Sequence, residues 1–230
     1  MSIHHKQLVL DAFKQLIGEG NTALLDHYIS DHYRQHNPTL KDGKAGLLAA
    51  LSALQQQPRP ATTTSPVRLV IADGDYVLLL LSLSLYGKTW AVADLYRIAH
   101  NQLAEHWDAM EVQPPVALIS GDMAGDAAAG KTFIQQCYTA VITGAATWSA
   151  FFAPDYTGYY PDDTWMTVTQ YQLHRIMGEG SLIGVQAMMV REGVEWACYD
   201  IFRLRGNSIT AHWRVAQAIP AVMSHNNGML

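Results

Sequence analysis

One sequence pattern occurs twice in the chain. Residues 94–114, DLYRIAHNQLAEHWDAMEVQP, align without a gap with residues 200–220, DIFRLRGNSITAHWRVAQAIP, at an offset of 106. Both copies contain a His-Trp pair, which begins at His106 in the first copy and at His212 in the second. Self-similarity at a fixed offset indicates a repeated structural unit. The chain of 230 residues therefore divides into two units, each long enough to bury a modest core.

A second match lies earlier in each copy and has a different offset. Residues 23–38 resemble residues 146–161 at an offset of 123, so the first copy carries 17 more residues between its two matching blocks. Between the copies, residues 114–130 combine Pro, Gly and Ala without an amphipathic period, which is typical of a linker. We therefore predict two domains, over residues 1–120 and 121–230.

Each copy opens with helical spacing of apolar residues and closes with strand-like runs. In the first copy, helical spacing begins near Leu8 and returns over residues 43–57. Strands are predicted over 66–73, 76–86, 89–99 and 103–113. Helices that precede an antiparallel sheet cover one of its faces, so the other face must be buried against another element. We predict an α+β fold with two tandem domains, packed on each other as an intrachain pseudo-dimer or on another copy as a homodimer.

Composition excludes several classes of partner. A formal net charge of −5 offers no basic surface for nucleic acid. The most apolar run, residues 76–86, is far shorter than the roughly 20 residues of a transmembrane helix. No basic and apolar leader opens the sequence, so we expect no membrane association and a cytoplasmic location. Cys137 and Cys198 lack CxxC spacing and are predicted to be buried thiols, whereas residues 4–5 and 224–230 are predicted to be frayed.

Strand register can be predicted from the closing hairpin of the first copy. A hairpin centred on Asn101 pairs Leu95 with Trp107 and Arg97 with Glu105. An apolar pair and an ion pair on the same face favour this register, because directly opposed side chains interact.

The other face of the same hairpin then carries an unusual pair of acids. Asp94 lies opposite Asp108, and Tyr96 lies opposite His106, with Trp90 further along the same face. Opposed like charges are destabilising, and burial disfavours both ionised forms. A carboxylate pair of this kind allows one acid to hold its proton near neutral pH, as acid/base catalysis requires. The alternative is that Asp108 faces water at a strand end and the two acids never meet.

The second copy has a different residue at the corresponding position. Its hairpin places Asp200 opposite Arg214, so the pair of like charges becomes a salt bridge. A neighbouring guanidinium lowers the pKa of a carboxyl group and makes it a poor acid at neutral pH. The simplest interpretation is one working pocket in the first copy and a structural second copy; alternatively both pockets bind ligands, or neither does.

Two stretches of the first copy resemble a known family. YRQHNPTLKDGKAGL (residues 33–47) and DLYRIAHNQLAEHWDAMEVQP (residues 94–114) resemble segments of the SnoaL-like polyketide cyclases, within the nuclear transport factor 2-like superfamily. The resemblance covers roughly residues 8–114, and the second copy shares only its sheet pattern and the His-Trp pair. It implies a cone-shaped α+β barrel with a deep apolar cavity, often dimeric through its sheets, here as a tandem duplication with a divergent second copy.

The resemblance also implies roles for individual residues. Asp108 stands where these cyclases have the aspartate that catalyses an intramolecular aldol condensation without a cofactor. Asp94 and His106 would assist catalysis, and His36 and Asn37 would line the pocket and orient a carbonyl group. Tyr96 and Trp90, on the same predicted face, complete the expected substrate-binding set. The second copy departs from the pattern at Arg214 and at Tyr159 and Tyr160, which stand in place of His36 and Asn37.

Three function classes remain open. The first is a cofactor-independent enzyme that cyclises or isomerises an apolar, polyketide-like carbonyl compound. The second is a non-catalytic module that binds such a molecule. The third is an epoxide hydrolase, which needs an Asp-Arg-Asp arrangement; the predicted register argues against it by placing Arg97 on the face opposite both aspartates. Four residues of the predicted pocket could formally ligate a metal ion, but no spaced ligand motif or cofactor motif occurs, so we predict neither metal nor cofactor.

Overall fold

The computed structural model describes residues 2–56, 64–85, 87–120 and 123–230, which form two α+β units in tandem. The first unit contains α1 (Ser2–Ala12), α2 (Leu25–Tyr28), β1 (Ile29–Gln35), α3 (Gly43–Gln55), β2 (Val67–Asp73), β3 (Tyr76–Leu85), β4 (Lys88–Ala99) and β5 (Gln102–Val112). The second unit contains α4 (Ala127–Ile142), β6 (Phe152–Tyr159), β7 (Tyr171–Glu179), β8 (Leu182–Arg191), β9 (Val194–Leu204) and β10 (Ile209–Ala218). Single turns of 3-10 or π-helix occupy Phe13–Gly18, Thr22–Leu24, Trp148–Phe151 and Thr164–Thr167.

The two sheets have the same topology. Their strand orders are β1-β5-β4-β3-β2 and β6-β10-β9-β8-β7, and each is antiparallel except for its first pair, which is parallel. The predicted α+β class and the tandem arrangement are therefore confirmed. The four strands predicted for the first copy agree with β2 to β5 to within one residue at each end. Residues 57, 86, 121 and 122, which belong to a predicted helix, a predicted strand and the predicted linker, lie outside the described residues.

The 17 extra residues of the first copy account for a helix. Between β1 and β2 the chain forms α3, which packs against β1. Between β6 and β7, where residues 160–170 are all described, it forms only the 3-10 turn Thr164–Thr167. One face of the first sheet is therefore covered by more helix than its counterpart in the second unit.

The opposite faces of the two sheets pack on each other. A continuous apolar cluster contains Leu95 and Trp107 from the first sheet together with Ile201 and Val215 from the second. Trp107 is 1 % exposed, as expected for a core residue, and the guanidinium of Arg175 lies 4.1 Å from the centre of its ring. Because this face of the first sheet is filled by the other unit, any pocket in that unit must lie on the helix-covered face.

Neither end of the described chain is frayed, so that prediction was wrong. His5 is 9 % exposed, and its Nδ1 lies 2.9 Å from the carbonyl oxygen of Gly74. At the other end, residues 224–229 lie along the segment that follows β1, and Met229 is 2 % exposed. Chain ends fray by default unless tertiary contacts hold them, and here such contacts exist.

Two smaller expectations can be compared with the structure. Cys137 and Cys198 are buried and unpaired, as predicted, and burial raises the pKa of the Cys137 thiol to about 12. Among the described residues, no helix is both long and apolar enough to span a bilayer.

Candidate functional site

The acid pair is formed by the hairpin of β4 and β5. Asp94 lies directly opposite Asp108, and Tyr96 lies opposite His106, which confirms the predicted register. Asp94, Asp108 and His106 are exposed by only 6 %, 7 % and 8 %. The alternative, in which Asp108 faces water at a strand end, is therefore excluded.

The turn that joins β4 to β5 differs from the predicted one, although the register of the acids is the same. His100 and Asn101 both have positive φ, at 50° and 62°, and form a two-residue turn, so the hairpin is not centred on Asn101. The resulting shift is compensated by a bulge at Ala104, between the pairs Ile98–Leu103 and Arg97–Glu105.

Gln35 determines which nitrogen of His106 carries hydrogen. The side-chain oxygen of Gln35 accepts hydrogen bonds from the backbone N–H groups of His36 and Asn37, each at 2.9 Å. The same oxygen lies 2.9 Å from His106 Nδ1, which must therefore be the donor. Nε2 is left facing Asp94 Oδ1 at 3.4 Å. Burial alone would lower the pKa of His106, but the hydrogen bond and charge of Asp94, together with the charge of Asp108, raise it.

Asp108 has one satisfied oxygen and one unsatisfied oxygen. Its Oδ2 accepts a hydrogen bond of 2.7 Å from the side-chain amide of Asn37. Its Oδ1 is buried and has no hydrogen-bond partner among the described residues. Burial and the charge of Asp94 raise the pKa of Asp108 to about 6, against the opposing effects of His106 and Asn37. A carboxyl group with this pKa can both accept and release a proton near neutral pH.

Aromatic residues surround the acids. The Tyr96 hydroxyl lies 3.4 Å from Asp94 Oδ2, and its ring stacks on His106 with centroids 4.7 Å apart. Burial and the charge of Asp94 raise the pKa of Tyr96 well above its usual value, so its hydroxyl remains protonated near neutral pH. Trp90 is half-buried near the end of the same face, and its indole donates to the carbonyl of Leu85 at 3.3 Å.

The structure does not bring His36 to the acid pair. Its Nε2 lies 2.9 Å from Glu105 Oε1, its Nδ1 lies 2.9 Å from the carbonyl oxygen of Gly228, and its ring stacks on Trp107 at 4.7 Å. His36 thus lies on the sheet face that packs against the second unit. Successive residues of an extended chain point to opposite faces, so His36 and Asn37 cannot both face the acids.

Sequence reasoning missed two residues of this site, Tyr33 and Gln35. Burial, together with the charges of Asp108 and Asp94, raises the pKa of Tyr33 well above its usual value, and its hydroxyl accepts a hydrogen bond from Gln35 at 3.2 Å. The signal that could have found them is the period of two, which places both on the same face as Asn37.

Asp94, His106 and Asp108 could accommodate a metal ion by distance alone. Each offers one ligand atom, and these atoms lie within 4.8 Å of one another. The prediction that the site works without a metal is tested by an experiment described below.

The corresponding cluster of the second unit is neutralised by arginine. Asp200 lies opposite Arg214, as predicted, and receives hydrogen bonds of 2.6 and 2.8 Å from its guanidinium. His212 and Tyr138 also contact this carboxylate, at 2.7 and 2.5 Å. Although burial opposes it, the charge of Arg214 holds the pKa of Asp200 well below its usual range. This carboxylate cannot serve as an acid near neutral pH.

The fold and the two clusters define the class of protein: two α+β units joined through their sheets, of which one encloses a buried Asp-His-Asp group. Solved structures with a similar fold include TsrD from Streptomyces laurentii, with 22 % identity over 48 % of this chain and 90 % of that chain, at a TM-score of 0.41.

Two further structures are similar to this chain over a comparable length. A proposed polyketide cyclase from Acidithiobacillus ferrooxidans has 20 % identity over 48 % of this chain and 92 % of that chain, at a TM-score of 0.37. An NTF2-like protein of unknown function from Mesorhizobium loti has 15 % identity over 48 % of this chain and 93 % of that chain, at a TM-score of 0.41. Each match covers about half of this chain. No family model and no curated protein matches it.

Proposed function

We propose that the first unit is a cofactor-independent acid/base enzyme that cyclises or isomerises a small apolar carbonyl compound, with Asp108 as the catalytic acid and base. The observation that carries the proposal is the state of Asp108 itself. Its carboxyl group is buried opposite Asp94, its pKa is raised to about 6, and its Oδ1 has no partner among the described residues. Such an oxygen has unused capacity to accept a proton.

The reaction needs only the proton of the substrate. Asp108 Oδ1 removes a proton from the carbon next to a carbonyl group, and the electron pair of the C–H bond moves onto the carbonyl oxygen to give an enolate. In an isomerisation, Asp108 returns the proton to a different carbon. In an aldol condensation, the enolate carbon attacks a second carbonyl group of the same molecule, and Asp108 delivers the proton to the new alkoxide. Both routes restore Asp108 to its starting state.

His106 and Asp94 supply charge balance in this scheme. Gln35 fixes the hydrogen on Nδ1 of His106, so a second proton on the imidazole is carried by Nε2, on the side of Asp94. Asp94 favours that charged form, and the positive charge stabilises an enolate that forms beside it. Asn37 orients Asp108, and the protonated hydroxyl of Tyr96 donates to Asp94 Oδ2 at 3.4 Å.

The surroundings of the site favour an apolar substrate. The helix-covered core on this side of the sheet includes Tyr33, Val92 and Tyr96, with Trp90 and Met110 packed against it. Aromatic and aliphatic walls with a few polar groups are typical of sites for small apolar molecules. We infer a polyketide-like or other enolisable substrate, with the second unit as an intrachain substitute for a second subunit.

An epoxide hydrolase is less well supported. Arg97, the arginine nearest to the acids along β4, donates to Glu105 Oε2 at 2.9 Å on the opposite face of the sheet. It is therefore not available to activate an epoxide between the two aspartates.

Exchange of substrate protons with solvent tests the proposal without knowledge of the natural product. A panel of apolar 1,3-diketones and cyclic ketones is incubated with the protein in D2O, and loss of the α-proton signal is followed by proton NMR. We expect catalysed exchange, reduced about 10²- to 10⁴-fold in Asp108→Asn because the general base is lost. Asp155→Asn, at an exposed ion pair of the second unit, is the matched control. Binding without exchange would reject the enzyme and favour the binding module.

A further inference from the structure

The last residues of the second unit lie along the backbone of the segment that orients the acid pair. Ser224 N donates to the carbonyl of Pro38 at 2.8 Å, and His225 Nε2 lies 2.9 Å from the carbonyl oxygen of Asn37. Asn227 Nδ2 donates to the carbonyl of Gln35 at 3.0 Å. We call residues 224–229 the C-terminal segment.

The carbonyl groups that His225 and Asn227 contact belong to Asn37 and Gln35, the two residues whose side chains orient the site. Gln35 holds Nδ1 of His106, and Asn37 holds Oδ2 of Asp108. Both side chains point toward the acids, while their carbonyl oxygens point away and accept hydrogen bonds from the C-terminal segment. The backbone of Gln35 and Asn37 is therefore held at its outer side by His225 and Asn227.

Local sequence explains why this backbone needs external partners. β1 ends at Gln35, and the bond from His36 N to the carbonyl of His106, at 2.9 Å, continues its pairing for one more residue. Pro38 then follows and has no N–H to offer to a sheet. Backbone carbonyls in an irregular segment need partners when they are buried, and the C-terminal segment supplies them.

We propose that the C-terminal segment is a positioning element of the acid/base site, in which His225 and Asn227 fix Gln35 and Asn37 and thereby the geometry of His106 and Asp108. This inference rests on the proposed function for its catalytic meaning. The geometric part can be tested without a substrate.

The experiment compares two neighbouring asparagines of the C-terminal segment. Asn227→Ala removes the bond to Gln35 together with the contacts of the same side chain to Arg34 and Asp42, whereas Asn226→Ala makes the same chemical change at an exposed residue with no side-chain hydrogen bond to the described residues. Nitrogen-15 NMR of the histidine rings reports the tautomer of His106 and its titration, with His106→Gln used to assign the signal. At a pH high enough for His106 to be neutral, we expect the Nδ1–H tautomer in the wild type and in Asn226→Ala.

In Asn227→Ala we expect a mixture of the two His106 tautomers. We also expect an apparent pKa of Asp108 above about 6, because a loosened Asn37 no longer stabilises the ionised carboxylate. His225→Leu should have the same effect. His225→Gln should restore the wild-type tautomer, because an amide N–H can replace Nε2–H as donor to the carbonyl of Asn37.

Two outcomes would overturn separate claims. If Asn227→Ala lowers the melting temperature but leaves the tautomer and the titration unchanged, the C-terminal segment stabilises the fold only and the positioning role is rejected. If Asp108 of the wild type titrates near 4, the proposed function fails, whatever the variants of the C-terminal segment show.

Discussion

The two buried clusters occupy the same strand positions and differ chiefly at one residue. In the first unit, Asp94 faces Asp108, and the pKa of Asp108 is raised to about 6. In the second unit, Asp200 faces Arg214, and the pKa of Asp200 is held well below its usual range. Burial disfavours the ionised acid in both; it raises the pKa of Asp108, which has no opposing cation across the hairpin, whereas the charge of Arg214 reverses the shift at Asp200. The two units thus have the same architecture, but the pKa of the buried acid is raised in the first and lowered in the second.

The residues that orient each histidine also differ. Gln35 pairs with His106 in the first sheet, whereas Gly158 pairs with His212 at the equivalent position of the second. With no side chain at Gly158, His212 Nδ1 has no hydrogen-bond partner among the described residues. A Cβ atom at Gly158 would lie 2.3 Å from the hydroxyl oxygen of Tyr160, so that ring occupies the space. In the second unit, aromatic side chains occupy the region that polar groups occupy in the first unit.

His36 and Tyr159 show that some differences between the copies concern packing rather than chemistry. His36 stacks on Trp107 at 4.7 Å, and Tyr159 stacks on Trp213 at 5.1 Å. Both rings therefore have the same role against equivalent tryptophans. The replacement of His36 by Tyr159 does not alter the acid cluster of either unit.

The largest expected effect on stability comes from removing the arginine that neutralises Asp200. Arg214→Met leaves the Asp200 carboxylate buried without its guanidinium, which should destabilise the protein by about 3–5 kcal/mol. Chemical denaturation at pH 7 measures the change. Arg205→Met, which removes an exposed partner of Asp155, should have a far smaller effect. The double variant Asp200→Asn/Arg214→Met should recover part of the loss; equal losses for Arg214→Met and Arg205→Met would contradict the comparison.

Asp108→Asn should change stability in the opposite direction. The pKa of Asp108 is about 6 in the folded protein and about 4 in the unfolded chain, so its ionisation costs stability as pH rises between these values. The variant should gain up to about 3 kcal/mol at pH 7 and nothing at pH 4. Asp200→Asn, whose acid has a lowered pKa, should lose stability at pH 7. A loss for both variants at pH 7 would show that Asp108 has a stabilising partner.

Removal of the one side chain that donates a hydrogen bond to Asp108 should have a smaller effect, on the pKa of its carboxyl group. Asn37→Ala deletes the hydrogen bond to Asp108 and should raise the pKa of that carboxyl group by about one unit, equivalent to about 1.4 kcal/mol. Thr39→Ala is the control, because Thr39 contacts the other end of the Asn37 side chain, at 2.7 Å. Carbon-13 NMR of the aspartate carboxyl groups measures both. Identical titrations in the two variants would remove Asn37 from the site.

The smallest expected effect is that of a chelator. If the site works without a metal ion, extensive dialysis against EDTA should leave the melting temperature and the proton exchange activity unchanged. Elemental analysis should find far less than one transition-metal ion per chain. One ion per chain, with loss of stability after its removal, would instead identify the Asp-His-Asp cluster as a metal centre and reject a cofactor-independent reaction.

Much of the first sheet could be predicted from the sequence because register is a local property. Period-two alternation and the ion pair of Arg97 with Glu105 were enough to place Asp94 opposite Asp108. The alignment of the two copies likewise placed Asp200 opposite Arg214. The expectation that His36 lines the pocket came from the resemblance, whereas the structure places its ring against Glu105 and Trp107, as its alternation with Asn37 requires.

By itself, the sequence determined the duplication, the α+β class and the pairing of the acids, since each follows from spacing along a continuous stretch of chain. Only the tertiary structure decided that Gln35 orients His106, that residues 224–229 hold Gln35 and Asn37, and that the pKa of Asp108 is raised to about 6. Contacts between residues nearly 200 positions apart carry no periodic signal in the sequence. Desolvation likewise depends on everything that packs around a group, and that is fixed only when the whole chain has folded.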